Sequence, residues 1–197
     1  MVNLFSVISY VLISTFTPGP SNISSASMAI LHGYRNTLKY QVGLALGVFL
    51  LMFLSGLFSA ALLHIFPTLE PILRYIGAAY ILYLAFEILK ASYIVTEKAI
   101  EPLGFIRGFM LQVLNPKLYI YSFTLFSTFM VSVSRGVLSL TILAMLLAVV
   151  SFCATSVWAL SGSSIKSQLR NPRLQMVVNI ILSILLVYAA VSLTGII

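Results

Sequence analysis

An apolar stretch from about Leu4 to Leu31 constrains this chain more than any other feature. It is long enough to cross a bilayer, yet it is broken in its middle. The break reads Thr17-Pro18-Gly19-Pro20-Ser21-Asn22. Pro18 and Pro20 lack a backbone N–H, so the carbonyls one turn earlier, those of Ser14 and Phe16, lose their helical partners. Gly19 between them adds conformational freedom. Freed backbone is tolerated at membrane depth only where protein or a water-filled cavity surrounds it. Ser21, Asn22, Ser24, Ser25 and Ser27 follow at once. A broken helix with polar side chains near the bilayer midplane is a common way to build a substrate site in a membrane carrier.

Composition removes the soluble alternatives. Of 197 residues, 60% are hydrophobic and 8% are charged, against about 25% charged in an ordinary soluble domain. The expected fold is an all-α polytopic membrane protein, with residues 1–197 forming one transmembrane domain. Six apolar segments approach the roughly 20 residues that cross about 30 Å of hydrocarbon: Leu4–Leu31 (broken), Lys39–Leu63, Pro71–Lys90, Gly104–Val131 (broken), Val137–Leu160 and Leu174–Gly195. Residues 1–8 contain no Lys or Arg, so the first segment reads as a spanning helix and not a cleaved leader. The only Cys, Cys153, lies in an apolar run, which leaves no intrachain disulfide or thiolate metal site.

The net charge of +7 reports orientation, not nucleic-acid binding. Loops one, three and five with their helix ends carry Arg35, Lys39, Lys90, Lys98, Arg107, Lys166, Arg170 and Arg173; the opposite side carries Arg74 and Arg135. Excess Lys and Arg marks the cytoplasmic side, which puts both termini outside. Gly43 and Gly47, Gly104 and Gly108, and Gly77-Ala78-Ala79 offer small faces for close helix packing. Tyr34, Tyr40, Tyr75 and Tyr93 read as interfacial anchors.

The second half echoes the first at an offset near 100 residues: Pro18 with Pro116, Arg35 with Arg135, Pro71 with Pro172. Three crossings per half, residues 1–95 and about 100–197, predict an inverted-topology repeat whose two broken helices, one and four, meet near the midplane. The second break reads Gln112-Val113-Leu114-Asn115-Pro116-Lys117. Pro116 frees the Gln112 carbonyl. Lys117 lies deep in its segment, where a cation costs at least about 2.5–3.5 kcal/mol, so it must be paired with a protein or substrate anion, hydrated, or shifted to its neutral form. The one acid within an apolar segment, Glu87, is the candidate protein partner.

Lys117 and the positive end of the half-helix after Pro20 suit a carboxylate. The carbonyls of Ser14, Phe16 and Gln112, with Asn22 and Asn115, suit an ammonium group, and a zwitterionic amino acid satisfies both. The candidate substrate-binding residues are Thr17, Pro18, Gly19, Pro20, Ser21, Asn22, Gln112, Asn115, Pro116 and Lys117, with no metal or cofactor. Two other readings compete: a passive channel lined by the broken helices, and a Ser/Lys hydrolytic dyad of Lys117 with Ser21, Ser24, Ser25 or Ser27. His32 and His64 fall at helix ends and read as solvated.

Taken in order, Thr17-Pro-Gly-Pro-Ser-Asn22, Gly33-Tyr-Arg35, Gly43, Gly47, Gly77-Ala-Ala-Tyr80 and Asn115-Pro-Lys117 resemble the LysE/RhtB superfamily of amino-acid exporters across essentially the whole chain. Gly77-Ala-Ala-Tyr-Ile81 and Trp158-Ala-Leu-Ser-Gly162 look most like its cysteine and O-acetylserine branch. The resemblance implies six helices in a bacterial inner membrane, efflux of a small neutral amino acid driven by the proton gradient, and a homodimer. Exporters of basic amino acids in this superfamily carry an acid in the second helix. None occurs here from Val42 to Leu63, which argues against a lysine or arginine substrate, since a buried cation needs a fixed anion.

Overall fold

The computed structural model describes residues 4–58, 68, 72, 75–86, 88–89, 103–126, 136–168 and 172–194; for 165–168, 172–175, 178–179 and 192–194 it describes the backbone alone. Among the described residues all regular structure is helical. The helices are α1 (Leu4–Phe16), α2 (Pro20–His32), α3 (Tyr34–Leu57), α4 (Tyr75–Phe86), α5 (Phe105–Val113), α6 (Pro116–Thr124), α7 (Val137–Gln168) and α8 (Pro172–Thr194). By length and apolarity α3 and α7 can each cross a membrane alone. At 13 residues each, α1 and α2 reach only about 20 Å apiece, so a crossing needs both. The same holds for α5 and α6, at nine residues each.

The polarity of the bundle is inverted relative to a soluble protein. α2 sits at its centre, packed by α3, α7 and α8, and every residue from Pro20 to Ile30 is buried, four serines and Asn22 included. Large apolar side chains face outward instead. On α3 the exposed stripe is Val42, Leu46, Leu50, Leu54 and Leu57, while Tyr40, Leu44, Val48, Leu51 and Met52 are buried. α7 exposes Leu138, Ile142, Met145, Leu146 and Val149. Both stripes keep helical spacing. Such a perimeter is unfavourable in water and matched to hydrocarbon.

Small residues set the helix contacts. A Cβ on Gly43 would lie 2.1 Å from the Phe105 carbonyl oxygen, and one on Gly108 would lie 2.2 Å from that of Tyr40. α3 and α5 therefore touch backbone to backbone through a reciprocal glycine pair. Gly162 of α7 meets the Ala26 carbonyl of α2 in the same way, and Gly77 of α4 meets the Leu114 carbonyl at the second break. Gly104, grouped with Gly108 by spacing, faces open space and forms the N-cap of α5.

Three boundaries differ from the sequence reading. The second apolar helix begins at Tyr34, not Lys39, because Gly33 (φ +83) ends α2 and starts α3 within one residue; that left-handed φ favours glycine. Asn36 Nδ2 and Thr37 Oγ1 then donate to the His32 and Gly33 carbonyls, both at 2.9 Å. The fifth runs to Gln168, not Leu160; Ser161, Ser163 and Ser164 are accommodated within it by turning their hydroxyls onto the Val157 and Leu160 carbonyls. The sixth starts at Pro172, where a proline suits the first helical position. Tyr40 is no interfacial anchor: it is fully buried and its hydroxyl bonds Ser24 Oγ at 2.8 Å. Tyr93, His64, Glu87 and the basic residues Arg74, Lys90, Lys98, Arg135 and Arg170 lie outside the described residues.

Candidate functional site

The first break is held by side chains that replace lost helical bonds. Thr17 and Pro18 separate α1 from Gly19, the extended N-cap of α2. Asn22, one turn into α2, folds back so that its Nδ2 donates to the Thr15 carbonyl at 2.9 Å and the Thr17 carbonyl at 3.0 Å. Trp158 of α7 donates its Nε1–H to the Phe16 carbonyl at 3.2 Å. Lys117 Nζ, arriving from the second break, donates to the Thr17 carbonyl at 3.1 Å.

The second break is capped locally. Asn115 Oδ1 accepts from the Lys117 N–H at 3.1 Å, and the Asn115 N–H donates to the Gln112 carbonyl at 3.2 Å. The two breaks are then stitched together. Ser21 Oγ donates to Gln112 Oε1, and Asn115 Nδ2 lies 3.4 Å from Ser21 Oγ. Ser21, Gln112 and Asn115 are all buried, so this network is made in a setting where leaving a member unpaired is costly.

A cavity of about 50 Å³ opens between the breaks. At roughly 10–15 Å³ per water position it has room for about three to five waters. Ser14, Thr15, Gly19, Pro20, Ser21 and Asn22 form one wall. Gln112, Asn115, Lys117, Leu118 and Tyr121 form the opposite wall, and Val48 of α3 and Ser151 of α7 close the sides. Among the described lining residues the one charged group is the Lys117 ammonium, and the N-termini of α2 and α6 begin beside it. The electrostatics favour an anion.

Seven of the ten residues nominated from sequence line this cavity: Gly19, Pro20, Ser21, Asn22, Gln112, Asn115 and Lys117. Thr17 touches it only through the carbonyl it offers to Lys117 and Asn22. Pro18 lies within the break, and Pro116 is buried against the Gly77 backbone. Two of the three freed carbonyls already accept one hydrogen bond, Phe16 from Trp158 and Gln112 from Asn115, and each carbonyl oxygen keeps a second lone pair. Ser14, named from sequence for its freed carbonyl, also lines the cavity, whereas sequence reading missed Thr15, Val48, Leu118, Tyr121 and Ser151. Tyr121, one turn after Lys117, was legible from helical spacing; Ser151 had no local signal.

Three of the four serines of α2 are engaged elsewhere than with Lys117, while Ser27 Oγ is buried without a hydrogen-bond partner among the described residues. Ser24 and Ser25 donate to the Ser21 carbonyl at 3.1 and 2.7 Å, and Ser21 donates to Gln112. No group of His, Cys, Asp and Glu able to hold a metal occurs among the described residues.

Apolar helices with an apolar perimeter, a buried polar centre and two proline breaks around one small cavity are the features of an integral membrane protein built for transport. The chain belongs to the LysE type translocator family, whose sequence model matches residues 12–195. This is a family of translocators, not of enzymes. The chain is 35% identical over 182 residues to a cysteine/O-acetylserine efflux protein of Salmonella choleraesuis, covering 92% of each chain. It is 34% identical over 182 residues to the protein of that name in Escherichia coli (strain K12), again covering 92% of each. The Klebsiella pneumoniae protein of the same name is 34% identical over 155 residues, 79% of each chain. No solved structure matches the chain significantly.

Proposed function

We propose that this protein exports small neutral amino acids or their derivatives, of the cysteine and O-acetylserine kind, across a bacterial inner membrane. The substrate carboxylate binds at Lys117 beside the N-termini of α2 and α6, within the residues Gly19 to Asn22 and Gln112 to Lys117. Transport proceeds by alternating access coupled to the proton gradient. In this reading the broken pairs α1–α2 and α5–α6 are the first helices of two inverted three-helix repeats, six crossings in all, with both termini outside. The observation that carries the proposal is the meeting of both breaks at one cavity, where Lys117 is the single charge among the described lining residues. The relatives' names support the substrate class, and the absence of an acid among the described lining residues disfavours a cationic substrate.

The test is uptake of labelled O-acetylserine and cysteine into inverted vesicles. Saturable accumulation that collapses with a protonophore is expected, with lysine a poor competitor. Flux that stays linear with concentration would instead favour a pore. Lys117→Met keeps length and removes the charge. Losing a charge-assisted contact costs about 1.5–3 kcal/mol, so affinity should fall roughly 10- to 150-fold. Unchanged affinity with lower thermal stability would reassign Lys117 to the scaffold, through its bond to the Thr17 carbonyl.

A further inference from the structure

Gly19 is not explained by the backbone of the first break. Its conformation is extended, at φ −170 and ψ 175, open to any residue and usual ahead of a proline. The freedom that glycine alone offers is not used there. Ser, Asp or Asn at this N-cap position would bond the first turn of α2, yet Gly19 supplies no such cap. What distinguishes the position is its neighbour. A Cβ on Gly19 would lie 3.2 Å from Lys117 Nζ, 3.4 Å from its Cδ and 3.9 Å from its Cε. The three nearest atoms all belong to that one side chain. At Gly43, Gly77, Gly108 and Gly162 the obstacle is the backbone of another element; at Gly19 it is the charged end of a lysine.

We propose that Gly19, through the side chain it lacks, positions the Lys117 ammonium and so sets the carrier's affinity for the substrate carboxylate. This rests on the carrier reading given above and adds the residue that aims Lys117. Lys117 Nζ donates to the Thr17 carbonyl at 3.1 Å. That carbonyl also accepts from Asn22 Nδ2 at 3.0 Å, so both of its lone pairs are used. An ammonium has three N–H donors: Thr17 takes one, and an anion takes another in the cavity that Gly19 and Lys117 both line. A lysine stem is flexible, and passing over Gly19 is what brings its end to Thr17 and the N-terminus of α2. Non-bonded contacts of a methyl lie near about 3.5–4.0 Å, so an alanine here must move the ammonium by roughly half an ångström. The lysine end yields before the break does, since Pro18 and Pro20 fix the backbone on either side. Lengthened or bent hydrogen bonds are weaker.

The experiment titrates L-cysteine, and L-cysteinamide, which lacks the carboxylate, into purified wild type, Gly19→Ala, Lys117→Met and the double variant, and records the melting temperature of each. Gly19→Ala should weaken L-cysteine about 3- to 10-fold, the range of one hydrogen bond, leave L-cysteinamide unchanged and melt as wild type does. In the Lys117→Met background the same substitution should change neither ligand, as for two residues acting through one contact. Wild-type affinity for L-cysteine in Gly19→Ala, an equal loss for both ligands, or the same loss with and without Lys117 overturns the positioning role while the carrier reading stands. A marked fall in melting temperature or folded yield assigns the glycine to the scaffold and overturns it equally. A Lys117→Met variant that keeps wild-type affinity, or a wild type that binds neither ligand, overturns the reading of the site, and this one with it.

Discussion

Asn22 supplies at the first break what backbone geometry no longer can. One amide group satisfies two carbonyls, Thr15 and Thr17, across a gap opened by two prolines. Replacing it with alanine leaves the Thr15 carbonyl bare and the Thr17 carbonyl with Lys117 alone. At about 1–3 kcal/mol for an abandoned buried acceptor, Asn22→Ala should cost roughly 2–4 kcal/mol, seen as a lower melting temperature in detergent. Asn22→Asp keeps the shape but presents acceptors to acceptors, so it should not restore stability. Unchanged melting in both variants would mean that the break is held by the surrounding helices and not by this side chain. Most of these residues carried a reason at the sequence level: a proline announces its orphan carbonyl, and an amide one turn on is the natural donor. Trp158 did not, because its indole reaches Phe16 from 142 positions away.

At the scale of the element, the α3–α5 crossing decides where the second break lies. The Gly43 and Gly108 contacts leave no room for a methyl, and a Cβ on Gly47 would meet Gln112 Cβ at 2.7 Å. The same interface that packs the bundle therefore positions a cavity residue. Gly108→Ala must push the helices apart; overpacking of this kind costs typically about 1–3 kcal/mol. It should lower folded yield and displace Gln112 from Ser21, with a loss of transport. Gly104→Ala, on the same helix but facing open space, is the matched control and should behave as wild type. Equal behaviour of the two variants would show that the close crossing is dispensable. The glycine spacing predicted small faces on α3 and α5, but Gly104 shows that spacing alone does not say which small residue is in contact.

At the scale of the molecule, the distribution of Lys and Arg predicts that the Gly33 turn faces the cytoplasm. Arg35 is exposed beside that turn. On a Cys153-free background, Arg35→Cys should resist a membrane-impermeant maleimide in intact cells and react after permeabilisation. Labelling from outside would invert the whole arrangement, and with it the direction of the cavity's openings. Removing Cys153 should itself be tolerated, since that free thiol is exposed and no disulfide depends on it.

The sequence alone determined the inverted polarity and the two breaks, because both follow from local chemistry. A chain with so few charges must be solvated by lipid, and proline cannot complete a helix wherever it sits. It also nominated Lys117, since a cation deep in an apolar segment is conspicuous without any structure. Pairing was different. Whether Lys117 meets an acid, a ligand or a carbonyl depends on what another helix brings to it, and the structure gives the Thr17 carbonyl. The hydrogen bonds that freed carbonyls accept from Trp158 and Asn115, the burial of Tyr40 and the placing of Ser151 and Tyr121 in the cavity wall are likewise tertiary facts. Each depends on the distance and rotation between helices, and those are set by backbone contacts at Gly43, Gly108 and Gly162 that no single helix specifies.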